Sequence, residues 1–214
     1  MELPLDSPAH LRELICKRLQ GTLPHPDVES ASAFSAVNSM VRRYLPADPI
    51  AAAVLVPIIE RPEGLTVLLT QRASHLRHHA GQISFPGGRI EPTDDGPVEA
   101  ALREAEEEIG LAREHVTPAG YLNPQLVVSG YWVTPVVGFV SATCALTLDA
   151  REVESTFEVP LTHILDSANH HPRERSLGSS TIRVFEIPFG PYKIWGATAA
   201  MLLELYRVLV QVDS

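Results

Sequence analysis

With 214 residues the chain has room for one well-buried domain and little more. Its composition, 45% hydrophobic and 20% charged, excludes a disordered or fibrous protein, and its formal net charge of -9, without any Lys/Arg run, argues against a nucleic-acid groove. Cys16 and Cys144 are too few for a disulfide framework and lack metal or redox spacing, so both read as reduced thiols.

In chain order, Met1 to Pro8 is acidic and broken by proline, which predicts no secretory signal. Ser7 is placed to cap a helix from Pro8 to about Gln20, with Leu11, Leu14, Ile15 and Leu19 as its apolar stripe and Gly21 as its stop. Leu23-Pro24-His25-Pro26 reads as a linker, and a second short helix is expected from about Ser35 to Tyr44. Residues 1–48 are therefore expected to form a helical extension packed on a main domain at 49–214, and its helices offer a surface for a homodimer contact.

Aliphatic and β-branched runs then follow: Ala51 to Ile59 and Leu65 to Thr70 as a hairpin about Arg61-Pro62-Glu63-Gly64, then Ile83 to Phe85, Val116 to Leu122, Trp132 to Val140 and Thr181 to Ile187. Helices are predicted over Pro97 to Ile109, Leu161 to Leu165 and Trp195 to Val210. The fold class is α/β (α+β), an α/β/α sandwich with a mixed β-sheet between helices. The longest apolar run, Ile50 to Ile59, contains Pro57 and is too short for a bilayer, and Gln211-Val212-Asp213-Ser214 is not a peroxisomal address. The expected location is the cytoplasm, with no membrane partner.

The helix at Pro97 to Ile109 carries the chemistry. Pro97 suits a first turn and Gly110 a left-handed cap, while Val98, Ala101, Leu102, Ala105 and Ile109 recur at spacings of three and four and face the sheet. Glu104, Glu107 and Glu108 stand on another face, close enough to share a cation. A solvated acidic face is the ordinary reading of such a run. Here the acids repel one another near the C-terminal end, where the macrodipole also disfavours them, and that placement is explained by a bound divalent ion. Oxygen donors without His or Cys suit Mg2+ or Mn2+. The pattern alone leaves both readings open.

Read with its surroundings, the helix resembles the Nudix box, G-x5-E-x7-R-E-U-x-E-E-x-G-U, in Gly88, Arg103-Glu104, Glu107-Glu108, Gly110 and Leu111. Asp94 stands where the family has its first glutamate, and one extra residue separates Gly88 from Arg103. Upstream, Leu68 to Ala73, Arg77, Gly81 and Phe85-Pro86-Gly87-Gly88 are similar to the signature of the coenzyme A pyrophosphatase branch, whose box is commonly one residue longer. Ser129-Gly130-Tyr131, Val133 to Gly138, Phe157 to Leu161 and Ile194 to Ala199 extend that likeness.

The resemblance implies a metal-dependent hydrolase that cleaves the diphosphate of coenzyme A or its thioesters to 4′-phosphopantetheine and adenosine 3′,5′-bisphosphate. The alternatives are another nucleoside diphosphate derivative such as ADP-ribose, or a catalytically silent nucleotide binder. It implies Glu104, Glu107 and Glu108 as metal ligands and Arg103 as the group holding Glu107. Arg72 and Arg77 are the candidates for meeting phosphates, and Gly87 and Gly88 are expected to form a tight turn that lets backbone approach metal or phosphate. Glu152, Glu154 and Glu158 are candidates for the general base. His75, His78 and His79 read as polar loop residues, and Tyr131 or Trp132 as a surface for adenine.

Overall fold

Two runs of alternating aliphatic residues form the centre of the molecule, described in a computed structural model at residues 7–24, 48–177 and 180–210. Ile50–Arg61 (β1) and Tyr131–Val140 (β7) pair in parallel, from Ile50 opposite Tyr131 to Ile59 opposite Val140. Successive side chains point to opposite faces of a strand, so each run feeds two cores. Ala52, Val56, Ile58, Val133, Val137 and Phe139 enter one, and Ala53, Leu55, Ile59, Val136 and Val140 the other.

Antiparallel partners widen this pair into a mixed eight-stranded sheet. Gly64–Arg72 (β2) folds back on β1 and carries Ile83–Ser84 (β3) and Val153–Pro160 (β8). Gly87–Arg89 (β4) lies along the start of β1, while Val116–Tyr121 (β5) and Gln125–Leu126 (β6) lie along β7. A second, three-stranded antiparallel sheet joins His171–Leu177 (β9), Ser180–Phe189 (β10) and Tyr192–Trp195 (β11).

Helices cover both faces of the large sheet. Pro8–Leu19 (α1), Leu161–Leu165 (α3) and Gly196–Val210 (α4) bury Leu11, Ile15, Ile164, Leu202 and Leu205 in the first core. Pro97–Ile109 (α2) packs on β1, β4 and β7 and closes the second. This is the α/β/α sandwich expected from the sequence. The Ser7 hydroxyl caps α1 by accepting from His10 N at 3.2 Å. At the other end the Thr22 hydroxyl donates to Leu19 O at 2.7 Å and accepts from Tyr121 N at 2.9 Å, tying α1 to β5. The helix expected from Ser35 to Tyr44 lies outside the described residues, among which no helix is long and apolar enough to cross a membrane.

Five strands depart from the sequence reading. β8 buries only Val153 and Val159 and β9 is charged and largely exposed, so neither shows a continuous apolar face, and pairing with a neighbour is what makes each a strand. β8 is further held where Arg61 forks onto Glu158, Nη2 to Oε1 at 2.6 Å and Nε to Oε2 at 3.1 Å. That guanidinium, with the Thr66 hydroxyl, keeps the Glu158 carboxyl below its ordinary range. β11 ends at Trp195, so the C-terminal helix begins one residue later than expected. β6 is a two-residue pairing with β7, and the fifth, β4, bears on the site.

Candidate active site

α2 has the expected bounds. Pro97 occupies its first turn, and Gly110, at φ 66°, closes it by donating to the carbonyls of Ala105 and Glu106. Its acidic residues do not share one environment. Ala101, Ala105 and Ile109 are fully buried, and Glu108 lies three residues after Ala105, so the apolar stripe carries Glu108 inward to 5% exposure. Glu104 stands at the edge with its side chain 18% exposed, and Glu107 projects into solvent at 61%.

Gly87 and Gly88 do not form the expected tight turn. They are strand residues of β4, with Gly87 opposite Val54 and Gly88 opposite Ala53, because β1 offers unpaired main chain beside its parallel contact with β7. This extended backbone lies directly against the acids. Gly87 N donates to Glu108 Oε2 at 3.3 Å, and a Cβ added at Gly88 would fall 2.5 Å from a Glu104 oxygen.

The arginine of the box is held differently from the expectation. Its forked partner is Asp94, with Nε to Oδ1 at 2.9 Å and Nη2 to Oδ2 at 3.0 Å. Nη1 donates to Glu104 Oε1 at 2.9 Å and only weakly to Glu107 Oε2, at 3.4 Å, while Nη2 also reaches the Arg89 carbonyl at 3.0 Å. Arg103 thus positions Glu104 more than Glu107, and Asp94 positions Arg103. The Arg103 guanidinium holds the Asp94 carboxyl, 3% exposed, below the usual carboxylate range. Asp94→Asn should cost about 1–3 kcal/mol, the range for losing a charge-assisted pair. The sign follows from linkage: a depressed carboxyl stabilises the fold above its unfolded pKa and loses that contribution as pH falls through the folded value. Acid unfolding curves of wild type and variant should therefore converge at low pH, and a constant gap down to the end of the titration would contradict the pairing.

The remaining candidates divide. Arg72 Nη1 approaches Glu108 Oε1 at 4.0 Å from a side chain 28% exposed, which brings its guanidinium to the site, while its buried Nε has no hydrogen-bond partner among the described residues. Arg77 lies exposed on the loop after β2 and is not brought to the acids. His75 and His78 are exposed on the same loop, and the His79 ring pairs with Gln82 at 2.9 Å. Trp132 is a core residue at 5% exposure, whereas the half-buried Tyr131 receives Arg89 Nη2 on its hydroxyl at 3.3 Å near the start of the box.

Burial is the main cause of the electrostatics here. It pushes the Glu108 carboxyl up to about 8, against the Gly87 N–H and Arg72, and the charges of Glu152 and Glu104 raise it further. Glu104 is raised as well, by burial first, with Arg103 opposing. Two carboxyls buried with too little positive charge are a fit for a hard divalent cation, the group that would ionise both. Among the described residues no three His, Cys, Asp or Glu side chains are set closely enough to enclose an ion by themselves. The donor set suits an open site completed by water and ligand oxygens, as Mg2+ favours.

The NUDIX domain family model matches residues 49–176, which span β1 to β9 and include the whole site. The chain is 44% identical over 155 residues to an uncharacterized Nudix hydrolase, NudL, of Escherichia coli (strain K12), covering 72% of this chain and 80% of that one. The NudL of Shigella flexneri is 41% identical over 175 residues, 81% of this chain and 90% of the relative. Among solved structures, a Nudix hydrolase of M. smegmatis, RenU, superposes with a TM-score of 0.53 over 78% of this chain and 91% of its own, at 21% identity, and so shares the fold. With the arginine and the acids in place on α2, the chain belongs to the Nudix hydrolase family.

Proposed function

We propose that this enzyme hydrolyses the diphosphate bond of coenzyme A or its thioesters, releasing 4′-phosphopantetheine and adenosine 3′,5′-bisphosphate. The observation that carries the reading is the reach of Arg72 to within 4.0 Å of Glu108, which brings the arginine of the coenzyme A signature to the acids of the box. Glu104 and Glu108, with Glu107 at the rim, hold Mg2+ or Mn2+. When bound, the cation supplies positive charge to the diphosphate and polarises the water that attacks it.

This chain's own groups do the rest. Gly87 and Gly88 present flat backbone on which a diphosphate can lie close to both acids. Arg103 fixes the Glu104 carboxylate, so that its oxygen needs no reorganisation as substrate arrives. The Arg72 guanidinium, beside Glu108, meets a phosphate oxygen. Arg77, on its exposed loop, is a contact for the ribose 3′-phosphate, a group that coenzyme A has and ADP-ribose lacks.

The test is turnover with Mg2+ of a panel holding coenzyme A, an acyl-coenzyme A and ADP-ribose, read by mass spectrometry. Coenzyme A and its thioester should be consumed to the two expected products. Intact coenzyme A beside consumed ADP-ribose would transfer the assignment to another nucleoside diphosphate derivative.

A further inference from the structure

The strand that lies against the acids, β4, has unlike surroundings at its two ends. Before Gly87 the chain leads back to Arg72 and the loop of Arg77, and residues 72–82 hold two arginines and three histidines without one acid. After Gly88 comes Arg89, whose exposed guanidinium reaches across β1 to the Tyr131 hydroxyl, Nη2 at 3.3 Å and Nε at 3.4 Å, and lies 5.7 Å from the centre of the ring. Arg89 pairs with Ala52 and Tyr131 with Ile50, two residues apart on β1, so Arg89, Tyr131 and Ile50 share the face of the sheet away from α2.

Beyond Tyr131 the surface turns apolar. Ile50 is 42% exposed and Val128 54%, two of the four large hydrophobic residues exposed among the described residues. Val128 sits on a turn fixed to the same pair of strands: Ile50 N donates to Gly130 O, Gly130 N to Val127 O and Val127 N to Tyr131 O, each at 2.9 Å. Ile50 is three residues from Ala53, the partner of Gly88, or about 10 Å along the strand. Scattered exposed aliphatics are ordinary, whereas two held on neighbouring segments at the rim of a polar site present a surface for apolar ligand groups.

We propose that the strip of Arg89, Tyr131, Ile50 and Val128 binds the pantetheine arm and acyl chain of coenzyme A thioesters, an inference that rests on the diphosphate hydrolysis argued above. The substrate has the same asymmetry as the site. On one side of its diphosphate is a nucleoside with a further phosphate, matched by the cationic residues 72–82, and on the other an uncharged amide chain ending in a thiol or an acyl group. Among the described residues β4 pairs with β1 alone, so its outer edge is open and the arm crosses it from the acids to the strip. Arg89 and the Tyr131 hydroxyl offer donors to the amide carbonyls, and Ile50 and Val128 take the acyl chain out of water.

The experiment compares the full-length wild type with an Ile50→Ser, Val128→Ser double variant on coenzyme A, its acetyl, butyryl and octanoyl thioesters, and ADP-ribose, all with Mg2+. Wild-type kcat/KM should rise with acyl length. The variant should lose about tenfold on the octanoyl thioester, mostly through KM, the scale for apolar groups in a pocket, and less than about threefold on coenzyme A, which has no acyl chain. Its melting temperature should stay near that of wild type, since both side chains are exposed. A wild type indifferent to acyl length, or a variant that keeps the preference, would overturn the proposal. An equal loss on every substrate cleaved, coenzyme A included, would overturn it too and place the nucleobase on this strip. A wild type that cleaves neither coenzyme A nor its thioesters would overturn the reading beneath it as well, whereas cleavage without a length preference removes this inference alone.

Discussion

Replacing Glu108 with Gln is expected to remove turnover while making the metal-free protein more stable at alkaline pH. The loss in kcat should be roughly a hundredfold to a thousandfold, the scale for deleting one preorganised electrostatic group from a site. Stability moves the other way because burial, the main cause, lifts the Glu108 carboxyl from 4.5 to about 8. An acid whose folded pKa is raised leaves stability unaffected below its unfolded pKa and reduces it as pH climbs toward the folded value. EDTA-treated wild type should therefore weaken between about pH 4.5 and about pH 8, by ~2–4 kcal/mol at the end of that window. Glu108→Gln keeps an acceptor for Gly87 N–H and carries no charge, so its curve should fall less steeply there, with the raised Glu104 carboxyl left to contribute.

Urea unfolding with EDTA across this range measures the slope, and repetition with Mn2+ measures its reversal. Mn2+ should restore the wild type at pH 8 and leave the variant nearly unmoved, since a ligand stabilises only the state that binds it. Equal slopes for the two EDTA-treated proteins would show that Glu108 is not a destabilising charge in the fold. A wild-type response to Mn2+ shared by the variant would place the ion elsewhere.

The adjacent glycines separate folding from catalysis. A Cβ on Gly87 would strike the Ala53 carbonyl and the Val54 Cα, main-chain atoms of β1 that cannot turn aside, and its φ of 155° already disfavours a side chain. Gly87→Ala should lose about 2–4 kcal/mol, the cost of overpacking combined with backbone strain. A Cβ on Gly88 would instead meet the far end of Glu104, with the nearest carboxylate atoms at 2.5 Å. A side-chain terminus can swing away, so Gly88→Ala should stay within ~1 kcal/mol of wild type in stability. The displaced carboxylate would still cost about a hundredfold in kcat, because a misplacement of about 1 Å is enough for that. Thermal melts together with kcat measure both. Wild-type turnover in Gly88→Ala would mean that the position of Glu104 against this backbone is irrelevant to the reaction.

How much of this was open to sequence reading depended on whether the determining interactions were local. The bounds of α2 were legible, since Pro97 and Gly110 act through their own backbones. The central strands were too, because β1 and β7 write their two-faced burial as aliphatic alternation. β8 was not: Glu154, Ser155, Thr156 and Glu158 carry no apolar period, and the strand exists because β2 supplies seven paired positions. Gly87-Gly88 resembles a turn in sequence and is a strand in the fold for the same reason, its pairing being contributed by residues more than thirty positions earlier.

The site divides along that line. The sequence by itself determined which helix carries the acids and how they are spaced, because side-chain positions on a helix follow from a fixed period. Only the tertiary structure decided what each acid is. Glu108 is turned inward by the apolar stripe it shares with Ala105, Glu107 is left in water, and Glu104 is pinned by an arginine that Asp94 holds. Asp94 lies nine residues from Arg103, and Glu152 more than forty from Glu108. Burial and the approach of charges are set by how the chain closes on itself, and no local spacing encodes them.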